Sequence, residues 1–165
     1  MTVVSNTSPL NYLLLIGEAR LIPLLFQRLH LPAAVRHELR DPAAADSVRA
    51  WAESPPDWAR FHHVTPATLP APVELHPGET EAILLACELQ AELLLMDELD
   101  GRAAARTSGL SVIGTLGVLD LADARNLVAF SDVWQRLQAT NFRATPRLVA
   151  AFLHRAQLRR RAAKP

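Results

Sequence analysis

Short apolar runs alternate along this chain with longer stretches of helical period, the pattern of βαβ units wound around a small, mostly parallel sheet. Thr2 to Ser5 reads as a first strand, with Pro9 to Leu15 and Glu18 to Leu29 as two helices broken near Gly17. His30 to Pro32 follows as a brief strand. The next helix, Ala33 to Arg40, is closed by Asp41-Pro42, because a residue before proline is pushed out of the α region. Another helix is expected over Ala44 to Glu53. The proline-rich segment Ser54 to Pro77 holds Trp58 and the His62-His63 pair and reads as irregular, apart from a strand at Arg60 to Val64. A central helix opens at Gly78 and leads into a buried strand, Leu93 to Met96. Beyond it the pattern predicts a helix at Arg102 to Ser108, a strand at Ser111 to Ile113, and helices at Leu116 to Ala124, Phe130 to Ala139 and Pro146 to Arg160. No repeat or linker interrupts this order, and residues 1–165 read as one domain.

Helical phase sorts the acids. At about 100° per residue, Ala82, Ile83, Ala86 and Leu89 form one stripe of the central helix, with Glu79 at its edge. Glu81, Glu88 and Glu92 take the opposite face and are expected in water, while Cys87 lies beside the stripe as a packing residue. In the helix from Ala33, Glu38 groups with Val35 and Leu39, and Arg36, His37 and Arg40 point away. The strand from Leu93 ends directly on Asp97. In an open α/β sheet, ligands sit in the crevice beyond the carboxyl ends of the strands. Glu38, Glu79 and Asp97 are therefore expected to face one region from three elements.

Each acid alone has a plain structural reading. Glu79 complements a helix dipole, Glu38 pairs with an arginine, and Asp97 caps the helix that follows. Together they need more, because two carboxylates about 4 Å apart repel by roughly 4 kcal/mol at an effective dielectric of about 20. Such a cluster raises a pKa or holds a cation. With oxygen ligands and no Cys/His spacing, that cation is Mg²⁺ or Mn²⁺ rather than Zn²⁺.

Composition narrows the classes. The formal net charge is zero, so a nucleic-acid surface has to be local. A single cysteine excludes an internal disulfide framework and fits a reducing cytoplasm. No basic segment precedes the apolar start, so no signal peptide is expected, and no apolar run is long enough to span a membrane. The phosphate-binding patterns G-x-x-x-x-G-K-[ST] and G-x-G-x-x-G are absent. A receiver domain of the phosphorylation type needs a lysine at the pocket, and the one lysine, Lys164, lies in the tail. The tail run Arg159 to Arg161 reads first as a solvated helix end, and His76 stands just before the central helix.

The opening Val3 to Leu10 (VVSNTSPL) leaves Asn6 at the carboxyl end of the first strand, with Thr7 or Ser8 as N-cap and Pro9 at the first helical position. At these residues the chain resembles the PIN-domain family, in its VapC-like subgroup. The resemblance runs on through LPAAVRHEL and through GETEAILLACELQAELLLMDELDGRAAARTSGLSVIGTLGVL to NFRATPRLVAAFL, which is essentially the whole chain.

The resemblance implies a three-layer α/β/α fold and a metal-dependent endoribonuclease. It further implies the toxin half of a prokaryotic toxin–antitoxin pair, with an RNA substrate, a small protein antitoxin as partner and a homodimeric state. By position it assigns Mg²⁺ or Mn²⁺ to Asn6, Glu38, Glu79 and Asp97, with Asp100 as a further member. Glu38, Glu79 and Asp97 are the catalytic acids, Ser8 supports the metal site, and Arg102 is the first candidate to hold RNA. Asn6 departs from the family pattern, which has Asp there; its amide oxygen can bind a cation but carries no charge. The alternative reading is a catalytically weak or inactive PIN-fold module that binds RNA or a protein partner without cleavage.

Overall fold

The computed structural model describes residues 1–65, 67, 69 and 74–162. They divide into two compact units, Met1–Thr115 and Leu116–Pro165. The first unit holds five strands and six helices: β1 (Val3–Ser5), α1 (Thr7–Leu15), α2 (Leu21–Phe26), β2 (Leu29–Pro32), α3 (Ala33–Leu39), α4 (Asp46–Glu53), β3 (Ala59–His62), α5 (Pro77–Glu88), β4 (Leu93–Leu95), α6 (Leu99–Thr107) and β5 (Val112–Ile113). The sheet is wholly parallel, in the order β3-β2-β1-β4-β5, and helices flank it. The α/β class expected from the alternation of apolar runs is what forms.

The sheet order places the site. From β1 the chain winds outward to β2 and β3, then returns to β4 on the other side of β1. Val3, Val4 and Ser5 stand opposite Leu93, Leu94 and Leu95, so the carboxyl ends of β1 and β4 open side by side where the winding reverses. That is the crevice in which open α/β sheets bind ligands. Beneath it, Val4, Leu94 and Met96 pack with Ala82, Ile83, Leu85 and Ala86 of α5 and with Ala104 and Ala105 of α6 in a dry core.

Several boundaries differ from the sequence pattern for local reasons. Helix α1 ends in a Schellman motif: Gly17, at φ 73°, donates to the Leu14 carbonyl, and Glu18 donates to the Leu13 carbonyl at 2.7 Å. The second helix stops at Phe26 instead of Leu29, because Gln27 takes φ 67° in a γ-turn closed by Arg28 N–H on the Phe26 carbonyl at 2.8 Å. Leu29 is thereby freed to begin β2. On α5 the buried stripe includes Leu85, whereas Cys87 is exposed rather than packed. Glu81 is half-buried and not in water: its Oε2 accepts the Ala34 N–H at 3.2 Å, at the start of α3. As the middle helix of its layer, α5 is covered on a flank as well as on its sheet face.

The second unit is helical: the rest of α7 (Thr115–Ala124), α8 (Phe130–Gln138) and α9 (Pro146–Ala162). Phe130 stacks on Phe152 at 5.6 Å between centroids, joining α8 to α9. Asp123 accepts the Phe130 N–H at 2.9 Å and the Arg159 Nε–H at 2.9 Å, and Asp120 accepts Arg159 at 2.6 Å. No helix among the described residues is long and apolar enough to cross a membrane.

Candidate metal centre

Asn6 follows β1 and is the N-cap of α1, yet its side chain does not cap the helix. Helix α1 begins at Thr7, so Pro9 is the third helical residue and not the first; its missing N–H still falls among donors that have no partner inside the helix. The Asn6 amide nitrogen donates to Glu98 Oε2 at 2.7 Å. Its oxygen is buried, and no hydrogen-bond partner reaches it among the described residues. The two hydroxyls that follow also turn away from capping: Thr7 donates to Glu38, and Ser8 donates to the other oxygen of Glu98. The start of α1 thus gathers one carboxylate from α3 and one from the end of β4.

Glycine makes room for these acids. A Cβ on Gly78 would collide with the Glu38 carboxylate, so only a bare backbone at the start of α5 lets that side chain lie there. One residue on, Glu79 sits in the first turn of α5, where the dipole favours negative charge. Its Oε2 lies 3.5 Å from where a Cβ on Gly101 would stand, which places it against α6. Burial pushes the Glu79 carboxyl above its usual range, and Glu98 adds to the rise. A hydrogen bond from the His76 amide and the nearby His76 ring offset part of that, and Glu38 adds a smaller push. Glu79, Glu98 and Asp100 line one cavity of about 410 Å³ with Glu74, Leu75, His76 and Leu99.

Asp97 is placed differently from its neighbour. Its Oδ1 accepts the Thr115 N–H at 2.8 Å and its Oδ2 accepts the Thr115 hydroxyl at 2.6 Å, so the carboxylate holds the start of α7. A Cβ on Gly114 would come within 2.5 Å of Oδ1. Burial drives the Asp97 carboxyl well above its ordinary range against the pull of those two hydrogen bonds; Glu98 adds to the rise and Arg102 opposes it. Arg102, expected to hold RNA, turns inward instead and donates to the Met96 carbonyl at 3.0 Å. Burial lowers its pKa, and Arg106 adds to that.

The structure therefore brings Asn6, Ser8, Glu38 and Glu79 to one neighbourhood, puts Asp100 on the rim of the same cavity, and sets Asp97 and Arg102 into the adjoining corner. Glu98, which the sequence reading passed over, links them: it binds Asn6 and Ser8 directly and acts electrostatically on both Glu79 and Asp97. The available signal was its place directly after Asp97, at the N-cap of α6. As they lie, no three Asp, Glu, His or Cys side chains among the described residues enclose a metal position. The donors nevertheless fit a hard divalent cation: all are oxygens, one buried oxygen lacks a partner, and Mg²⁺ keeps several waters, so the protein need supply only part of the shell.

His62 sits on β3 and meets His30 of β2 at 2.9 Å between ring nitrogens, at a sheet edge and not in this crevice. Burial, then His62, Arg28 and Arg60, hold the His30 pKa below its usual value.

A family model described as a PIN domain matches residues 2–158. No curated protein and no solved structure matches the chain.

Proposed function

Because this chain belongs to the PIN-domain family, whose members are generally nucleases that use divalent metal ions, we propose that it is a metal-dependent endoribonuclease, the toxin of a VapC-like toxin–antitoxin pair. The observation that carries this reading is the buried Asn6 oxygen at the switch point of the sheet, without a partner among the described residues and near Glu79, whose pKa burial raises first and Glu98 second. An acceptor with no donor beside a protonation-prone acid is a site short of positive charge.

Asn6, Glu38, Glu79 and Glu98 would hold Mg²⁺ or Mn²⁺, with Asp100 at the rim and Asp97 fixing the corner behind them. The bound ion supplies Lewis acidity toward a phosphoryl oxygen and a more acidic water. The chain's own part is to orient. Thr7 holds one oxygen of Glu38, and Ser8 and the Asn6 amide hold the two oxygens of Glu98, so hydrogen bonds fix the orientation of both carboxylates. Burial first and Glu98 second raise the Glu79 pKa, and a cation held beside it would favour its charged form. RNA has to enter single-stranded, where its backbone is accessible.

The test is cleavage of a single-stranded RNA with Mg²⁺, with Mn²⁺ and with EDTA, comparing the native protein with Glu98→Gln and Glu79→Gln. Metal-dependent cutting that both variants lose supports the reading. A native protein that binds RNA but cuts none with either metal favours the binding module, to which the uncharged Asn6 points. The homodimer and antitoxin are tested by light scattering and by whether a small neighbouring reading frame relieves growth arrest on expression.

A further inference from the structure

The zero net charge conceals a division along the chain. Residues 1–115 carry 14 acids against 8 arginines, whereas residues 116–165 carry 3 acids against 9 basic residues. From Val133 to Pro165 there is no Asp or Glu at all, while eight residues are basic. The three acids of the second unit come earlier, and two of them, Asp120 and Asp123, are tied to Arg159, with Asp120 also 3.4 Å from Arg155. The second unit therefore carries a formal excess of six basic residues over acids, nine against three.

Helix stability does not account for it. Arg159, Arg160 and Arg161 in the last turn of α9 complement the helix dipole, and Arg159 is structural. Arg147, however, lies in the first turn, which has no acid and where positive charge is unfavourable. It is exposed, and with His154 and Arg161 it recurs every seventh residue, so the three share one exposed stripe of α9. All the basic residues described here are arginines, whose planar fork suits paired contacts to phosphate oxygens.

We propose that the exposed surface of α9, through Arg147 and Arg161 on that stripe and Arg160 beside Arg161 about 100° round the helix, grips the phosphodiester backbone of RNA without reading its sequence. The inference rests on the RNA-cleaving reading of the other unit and gives it what its own composition lacks. A crevice lined by Glu38, Glu79 and Glu98 repels a polyanion, so attraction has to come from elsewhere in the chain. Backbone contacts made by separate arginines release counterions and impose a steep salt dependence.

The experiment is fluorescence anisotropy of a labelled oligouridylate in EDTA, so that nothing is cut, across a salt series. It compares the native full chain, the triple variant R147Q/R160Q/R161Q, and a control with equal charge loss in the first unit, R20Q/R28Q/R40Q. The α9 variant is expected to bind about tenfold more weakly at low salt, with a salt slope shallower by about 2, while the control stays near the native chain. Circular dichroism confirms that each variant is folded.

Native-like binding by the α9 variant, or an equal loss in the control, overturns the proposal while leaving the nuclease reading intact. RNA that is gripped through α9 but never cut with metal upholds the grip and sinks the nuclease. A native chain that holds polyglutamate as tightly as RNA of equal charge overturns the RNA assignment in favour of an acidic protein partner.

Discussion

Asp97 and Glu98 are neighbours in sequence at the end of the same strand, yet the fold uses them in opposite ways. Asp97 has both oxygens engaged by Thr115 and holds a helix start in place. Among the described residues, the Glu98 carboxylate accepts from the side chains of Asn6 and Ser8, lines an open cavity and adds to the raised pKa of Glu79. A position beyond a strand's carboxyl end makes a residue eligible for a site. What decides its role is whether the backbone claims its oxygens first.

Removing each carboxylate separates the two roles. Asp97→Ala should lower stability most, by about 3 kcal/mol, since it strips a buried N–H and a hydroxyl of their acceptor. Asp97→Asn keeps an acceptor and drops a buried charge, so it should cost under about 1 kcal/mol; urea denaturation measures both. Glu98→Gln should leave stability within about 0.5 kcal/mol and lower metal-dependent RNA cleavage about 100-fold, roughly 2.7 kcal/mol of transition-state stabilisation. A large stability loss in Glu98→Gln would erase the contrast.

Smaller effects sharpen it. Gly78→Ala should raise helix propensity by up to about 1 kcal/mol while displacing the Glu38 carboxylate, so stability holds or rises as metal affinity falls. Asn6→Asp exchanges the donor facing Glu98 for a second carboxylate. The metal-free protein should lose stability, and metal should restore it with about tenfold tighter binding, near 1.4 kcal/mol by calorimetry.

The smallest effect is on pH. Glu79 and Asp97 both have folded pKa values raised above the unfolded ones, so between those values the folded chain binds more protons. In EDTA their contribution to stability is full below the ordinary carboxylate range and declines as pH rises through the raised values. Melting temperatures across that range check the sign.

Much of this was legible before the structure. The apolar runs locate the five described strands to within a residue or two, and helical phase alone groups Glu38 and Glu79 with the inward sides of their helices, where both are half-buried. What escaped has physical causes. Gln27 takes a positive φ without being glycine, so nothing in its identity ends the helix early. Glu81 and Cys87 were assigned from a single stripe, but α3 covers the Glu81 flank of α5 and the Cys87 side stays open. Glu98 was missed because phase arguments apply inside helices, and this residue stands just before one. Arg102 was read from its position after an acidic loop, whereas the Met96 carbonyl beside it sets where its side chain goes.

The division of charge also shapes how the chain behaves in a flask. A protein with a sequence pI near 7.0 is expected to pass through ion exchangers at neutral pH. This one should be retained by both kinds of resin, each meeting the unit of opposite sign. Opposite charges on different molecules also attract, so dilute buffer should promote self-association near neutrality, and added salt should disperse it. The ionic strength that loosens its hold on RNA is then the one that keeps the protein in solution.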